Sequence, residues 1–160
     1  MGEHFTQKFE ILRGVVQHGQ WDVYGSGYAW HLPGSYDDAT RARLNETTWG
    51  GGIGRSLWTA DLDRHSVFLM SFSDSHRMPQ HIAGFGWHRY RPVVPSCLLG
   101  WGYFAFLFSR EDVAGRLPLP GVLPSASIRY RHWELLGLYI PPVTRAIKGD
   151  VLYVFARVSL

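Results

Sequence analysis

The stretch that decides the fold is PVVPSCLLGWGYFAFLFS, residues 92–109. It carries no charge and is long enough to cross a membrane as a helix. Pro95, Gly100 and Gly102 speak against a helix, because proline and glycine are the poorest residues in a helix interior. The alternation decides the matter. Leu99, Trp101, Tyr103, Ala105 and Leu107 share one face; Leu98, Gly100, Gly102, Phe104, Phe106 and Phe108 share the other. A period of two residues belongs to a β-strand.

The same period governs most of the chain on either side. After Gln20, Gly, Pro and Asp recur every ten to fifteen residues and divide the sequence into eight expected strands, near 22–32, 48–58, 66–75, 80–90, 97–109, 120–130, 133–140 and 151–160. In the last of these, Leu152, Val154, Ala156, Val158 and Leu160 share one face, while Tyr153, Phe155, Arg157 and Ser159 share the other. Five successive apolar positions on an outer face suit lipid better than water. Residues 3–18 differ: Phe5, Phe9, Leu12, Val15 and Val16 follow the helical period and predict an amphipathic helix. The expected fold is therefore all-β, an eight-stranded antiparallel transmembrane β-barrel preceded by an N-terminal amphipathic α-helix. It forms a single domain over 1–160, with the helix at 3–18 and the barrel at 21–160. Closure removes the unpaired edges that lipid cannot satisfy. A soluble eight-stranded carrier barrel has the same strand count and stays open as an alternative.

Composition agrees with strands and excludes several functions. The chain has 160 residues, of which 15% are aromatic and only 18% charged, so strand formers outweigh helix formers. A formal charge of +3 with scattered arginines gives no nucleic-acid arm. The single cysteine, Cys97, excludes an internal disulfide or a cysteine-rich metal site. The first residues, MGEHFTQKF, lack a secretory apolar run, which leaves either a cytosolic protein or a chain without its leader. WGGGIGRS (49–56) lacks the third glycine of a dinucleotide fingerprint and the Gly-Lys pair of a P-loop. No G-x-S-x-G elbow and no H-E-x-x-H spacing occur.

Two features point inward and upward. Gly50, Gly52, Gly54, Gly84, Gly86, Gly100 and Gly102 share strand faces with Phe68, Met70, Phe72, Phe104 and Phe106. That face predicts an apolar lumen with space for an acyl chain, or else glycines that only allow bending and close approach. The third expected strand runs into FSDSHRM (72–78). In an up-and-down barrel the first and third strands end at the same rim, so His31, Asp74 and Ser75 converge above the lumen. A base, a carboxylate and a hydroxyl suit acyl transfer, with Ser75 as nucleophile or oxyanion donor. A polar rim without catalysis is the competing reading.

In order along the chain, YAWH (28–31), WGGGIG (49–54), FSDS (72–75), IAGFGW (82–87), LPLPGVLPSAS (117–127) and LYIPP (138–142) resemble the PagP family of outer-membrane lipid A palmitoyltransferases. The likeness implies an outer-membrane barrel in the bacterial cell that moves a palmitoyl chain from the sn-1 position of a phospholipid to a hydroxyacyl chain of lipid A. It implies catalytic roles for His31, Asp74 and Ser75, and Gly86 at the floor of the acyl-measuring bore. It further implies a rim arginine at Arg110, and phospholipid entry through a lateral gap marked by Pro124 and Pro141. Ser26 and Thr48 stand where the family has the prolines of a second gap. No metal or organic cofactor is implied. The partners it implies are a phospholipid donor, a lipid A acceptor and outer-membrane lipids, with no nucleic acid, and the protein is expected to act as a monomer.

Overall fold

The two-residue period of 97–109 is realised as a strand that pairs on both sides. The computed structural model describes residues 2–32, 39, 47–73, 79–110, 118–142 and 150–160. Among them α1 (Gly2–His18) precedes β1 (Gln20–His31), β2 (Thr47–Trp58), β3 (Asp63–Ser73), β4 (Pro79–Val94), β5 (Cys97–Arg110), β6 (Leu119–Tyr130), β7 (Trp133–Ile140) and β8 (Val151–Ser159). Every strand is antiparallel to its sequence neighbour, and β1 pairs with β8, so the sheet closes into a barrel. All eight expected strands are present. Two extend further than the alternation suggested. β3 begins at Asp63 because Arg89 on β4 donates to its carboxylate, at 2.7 Å from Nε and 2.9 Å from Nη2. β4 continues through Pro92 to Val94, with the register shift next to the proline that its missing N–H invites.

The connections set the two ends apart. At one end, residues 59–62, 95–96 and 131–132 make short turns, with Leu62, Ser96 and Arg131 at positive φ. At the other end the strands are joined by the longer segments 32–46, 74–78, 111–118 and 141–150. We call these the turn end and the rim.

Helix α1 lies against the outside of the barrel on β2 and β3. Val15 is fully buried there and Gly14 lies close to Leu57, whereas Phe9 and Val16 of the same apolar stripe stay exposed. Arg55 fixes the helix's last turn. Its guanidinium donates from Nε to the Gly19 carbonyl at 3.0 Å, from Nη1 to the Val16 carbonyl, and lies 5.0 Å from the Trp21 ring. A cation on the final carbonyls satisfies acceptors that no further helical turn can reach.

The outward face is apolar. Val23, Ile53, Leu69, Trp101, Leu107, Val122 and Leu135 are all exposed. No helix among the described residues is long and apolar enough to cross a membrane.

The lumen is divided in two. Toward the rim it is apolar, with Phe68, Met70, Phe104, Leu136, Val151, Tyr153 and Phe155 buried and Phe72, Ile82, Phe106, Leu138 and Ile140 packed on them. Toward the turn end it is ionic. Arg64 donates to Asp22 (2.7 Å), Glu134 (2.8 Å), Ser56 (2.8 Å) and Ser159 (2.8 Å). Arg157 reaches Glu134 from Nε and Nη2, at 3.0 and 2.7 Å, and Tyr90 donates to the other Glu134 oxygen at 2.5 Å. Trp58 packs beside this layer, 5.2 Å from the Arg64 guanidinium and 5.5 Å from that of Arg129. Buried charges are tolerated only when paired and hydrogen-bonded in this way.

Candidate active site

His31 is the last residue of β1 and is 3% exposed. It faces the lumen at the rim and stands opposite Val151 of β8. The following residue is tied to the same strand pair, since the Leu32 N–H donates to the Asp150 carbonyl at 3.1 Å. β1 and β3 run in the same direction, so Ser73, the last residue of β3, reaches the rim as His31 does. Asp74 and Ser75 follow Ser73 directly and lie outside the described residues. Ser73 itself accepts the Trp49 N–H on its Oγ at 3.1 Å, which anchors the end of β3 to β2. Arg110 ends β5 opposite Gln80, also at the rim.

Pro124 and Pro141 bear on the barrel wall. The β6–β7 ladder runs from Tyr130↔Trp133 only as far as Ser125↔Leu138. Above that rung, Pro124 pairs only with Tyr103 of β5, and Tyr139 and Ile140 pair only with β8. Pro141 follows the end of β7 directly. The wall is therefore unpaired between β6 and β7 over its upper part. Between β1 and β2 the outcome is different. Pairing continues through Gly27↔Thr48 to Tyr28↔Thr47, with a register shift between Gly25 and Gly27. Of the two positions where the likeness places prolines, Thr48 pairs with Gly27 in this ladder and Ser26 falls at the register shift.

Gly86 is buried in the middle of β4, opposite Ser66 on one side and Phe104 on the other. Its missing side chain does not leave a hole. A Cβ there would lie 2.7 Å from Phe104 Cε1 and 2.7 Å from Ser66 Oγ, so the Phe104 ring already covers the glycine. Gly121 is covered likewise by Phe106, whose Cε2 would lie 2.7 Å from an added Cβ. The lumenal glycines admit aromatic rings from the neighbouring strand.

A family model described as "Antimicrobial peptide resistance and lipid A acylation protein PagP" matches residues 11–157. The chain belongs to the PagP family. Its similarity to members named "Lipid A acyltransferase PagP" runs through most of its length. With the protein of that name from Bordetella pertussis (strain Tohama I) it is 39% identical over 143 residues, covering 89% of this chain and 78% of the relative. With that from Legionella pneumophila (strain Paris) it is 35% identical over 159 residues, covering 94% and 83%.

Sequence reasoning missed the ionic layer of this PagP barrel. A signal for it existed: Asp22, Arg64, Glu134 and Arg157 each share a strand face with lumenal aromatic or apolar residues. What the pattern could not supply was the partnership, because Arg64 reaches residues 42, 70 and 95 positions away.

Proposed function

We propose that the protein is an outer-membrane lipid A acyltransferase that moves a palmitoyl chain from the sn-1 position of a phospholipid to a hydroxyacyl chain of lipid A. One observation carries the reading: a buried histidine closes the rim end of an apolar lumen whose wall is unpaired on one side. Short turns at one end and long connections at the other match the periplasmic and external ends of outer-membrane barrels, which supports the reading that His31 works in the leaflet that holds lipid A. The outward apolar residues face the acyl chains of that membrane, and the protein acts as a monomer.

The donor phospholipid enters between β6 and β7, past Pro124 and Pro141, where no ladder has to break. Its sn-1 chain descends into the apolar half of the lumen and leaves the ester at the rim. His31 takes the proton from the lipid A hydroxyl as its oxygen attacks the ester carbonyl. Collapse of the tetrahedral intermediate expels the glycerol oxygen, which receives that proton and leaves as lysophospholipid. Asp74 orients the imidazole and stabilises its charged form, and Ser75 donates its hydroxyl to the oxyanion at the same rim. Arg110 supplies a cation beside them for the phosphate groups of either lipid. Gly86 and the ring that covers it lie at the floor of the bore. The chemistry needs no metal or organic cofactor.

Alanine substitution tests the assignment. His31→Ala, Asp74→Ala and Ser75→Ala are each expected to reduce transfer at least a hundredfold while the barrel stays folded, in line with loss of general acid–base catalysis, typically about 10²–10⁴-fold. A folded His31→Ala protein with near-normal transfer would remove the catalytic assignment.

A further inference from the structure

We propose that Gly27 is a positioning residue for His31: it holds a one-residue bulge in β1, and that bulge turns the imidazole into the lumen. The inference rests on the acyl-transfer reading for what the imidazole does there.

β1 changes face partway along its length. Asp22 and Tyr24 are buried while Trp21 and Val23 are exposed, so near the turn end the even positions point inward. Ala29 and His31 are buried while Tyr28 and Trp30 are exposed, so near the rim the odd positions point inward. Its partner β8 makes no such change, since Val151, Tyr153, Phe155, Arg157 and Ser159 are all buried. The register accounts for the switch. Tyr24 stands opposite Arg157 and Gly27 opposite Phe155, which sets three steps along β1 (24 to 27) against two along β8 (157 to 155). The extra residue is a β-bulge, and a one-residue slip exchanges the two faces of a strand. A regular strand continued from Tyr24 would bring Trp30 opposite Val151, where His31 now stands, and would turn His31 toward lipid.

Gly27 is what lets the bulge close. A Cβ there would lie 2.5 Å from the Val154 carbonyl oxygen and 2.6 Å from the Tyr153 Cζ and hydroxyl oxygen. The carbonyl cannot move aside alone, because it belongs to the backbone of β8, which pairs with β1 on one edge and β7 on the other. The Tyr153 ring is held as well, stacked on Phe72 at 5.5 Å and on Phe155 at 5.6 Å. A larger residue at 27 is relieved by giving up the bulge, which faces position 27 outward and carries His31 with it.

The test uses the protein reconstituted in phospholipid bilayers, folded as judged by its heat-dependent gel mobility. In a Cys97→Ser background, Trp30→Cys carries a nitroxide label. Its collision rates with oxygen and with a water-soluble nickel chelate report whether position 30 faces lipid. The label is expected to be accessible to oxygen with Gly27 in place and to lose that accessibility in Gly27→Val. Without the label, Gly27→Val is expected to transfer acyl chains to lipid A at least a hundredfold more slowly than the wild type, as His31→Ala does. A loss of packing alone would slow transfer and leave the label in lipid. Should Gly27→Val fail to fold, Gly27→Ala is read by the same two measurements. A label that stays in lipid in the folded variant overturns the inference, and so does near-normal transfer by a variant whose label has turned inward. A wild type that transfers nothing overturns the acyl-transfer reading instead, while the label still decides how β1 is phased.

Discussion

Pro124 and Tyr139 face each other across the rung at which β6 and β7 cease to pair. Ser125 and Leu138, one step toward the turn end, are still partners, whereas Pro124 pairs only with β5 and Tyr139 only with β8. Proline contributes through what it lacks, since a residue without an N–H cannot donate to a ladder. The opening is thus written into the backbone and does not depend on a side chain moving aside.

A covalent tether across that rung tests its role. In a Cys97→Ser background, Pro124→Cys combined with Tyr139→Cys is expected to form a disulfide that slows donor entry severalfold or more. Reduction is expected to restore the rate. Full activity in protein verified as oxidised would show that the donor uses another route.

Filling the bore from below is expected to shorten the chain it accepts. Gly86→Met has no free volume to occupy, because Phe104 and Ser66 already stand 2.7 Å from where its Cβ would be. The new side chain must push the Phe104 ring toward the rim, at a stability cost of about 1–3 kcal/mol for overpacking. Transfer from graded donors is expected to move from palmitate toward chains several carbons shorter. Retained preference for palmitate would show that Gly86 is not at the floor.

The ionic layer predicts a stability effect separable from catalysis. Glu134 compensates two arginines at once, with Arg157 and Arg64 within 2.7 and 2.8 Å. Glu134→Leu leaves both cations buried without their shared carboxylate and is expected to cost about 3–5 kcal/mol in urea unfolding. Adding Arg157→Met is expected to recover part of that loss, because replacing a buried pair is cheaper than breaking it. Equal destabilisation by the single and double variants would contradict this account of the layer.

The helix clamp is expected to be dispensable for chemistry. Arg55→Ala removes two hydrogen bonds to the last carbonyls of α1 and its contact with Trp21. At about 1 kcal/mol per bond, thermal unfolding is expected to begin a few degrees lower, with transfer in the folded protein unchanged. A wild-type unfolding curve would show that the guanidinium adds nothing.

Much of this architecture was legible in the sequence because a barrel wall is a local pattern. The alternation through Leu99, Trp101 and Tyr103 named the outer face of β5, and that of Leu152, Val154 and Ala156 did the same for β8. The helical spacing of Phe9, Leu12 and Val16 separated α1 from the strands. The lumen was less legible, since its contents depend on residues that meet only after closure. Gly86 left open space for an acyl chain or close approach of a neighbour, and the structure shows the second: a β5 ring covers it, as another covers Gly121. The charges at Asp22, Arg64, Glu134 and Arg157 went unread as a group, because Arg64 meets partners 42 and 70 positions away along the chain. At the rim, His31 lies where the strand directions require, while Asp74 and Ser75 fall outside the described residues.

The most direct measurement of the central claim is the lipid product itself. Purified protein in detergent is supplied with lipid A and a phospholipid whose sn-1 and sn-2 chains carry different isotopic labels, and the lipid A is recovered and weighed by mass spectrometry. The account predicts one added palmitoyl group on a hydroxyacyl chain, bearing the sn-1 label, with an equal amount of lysophospholipid, and none of this with His31→Ala. Lipid A of unchanged mass from folded wild-type protein, or an added chain bearing the sn-2 label, would contradict it.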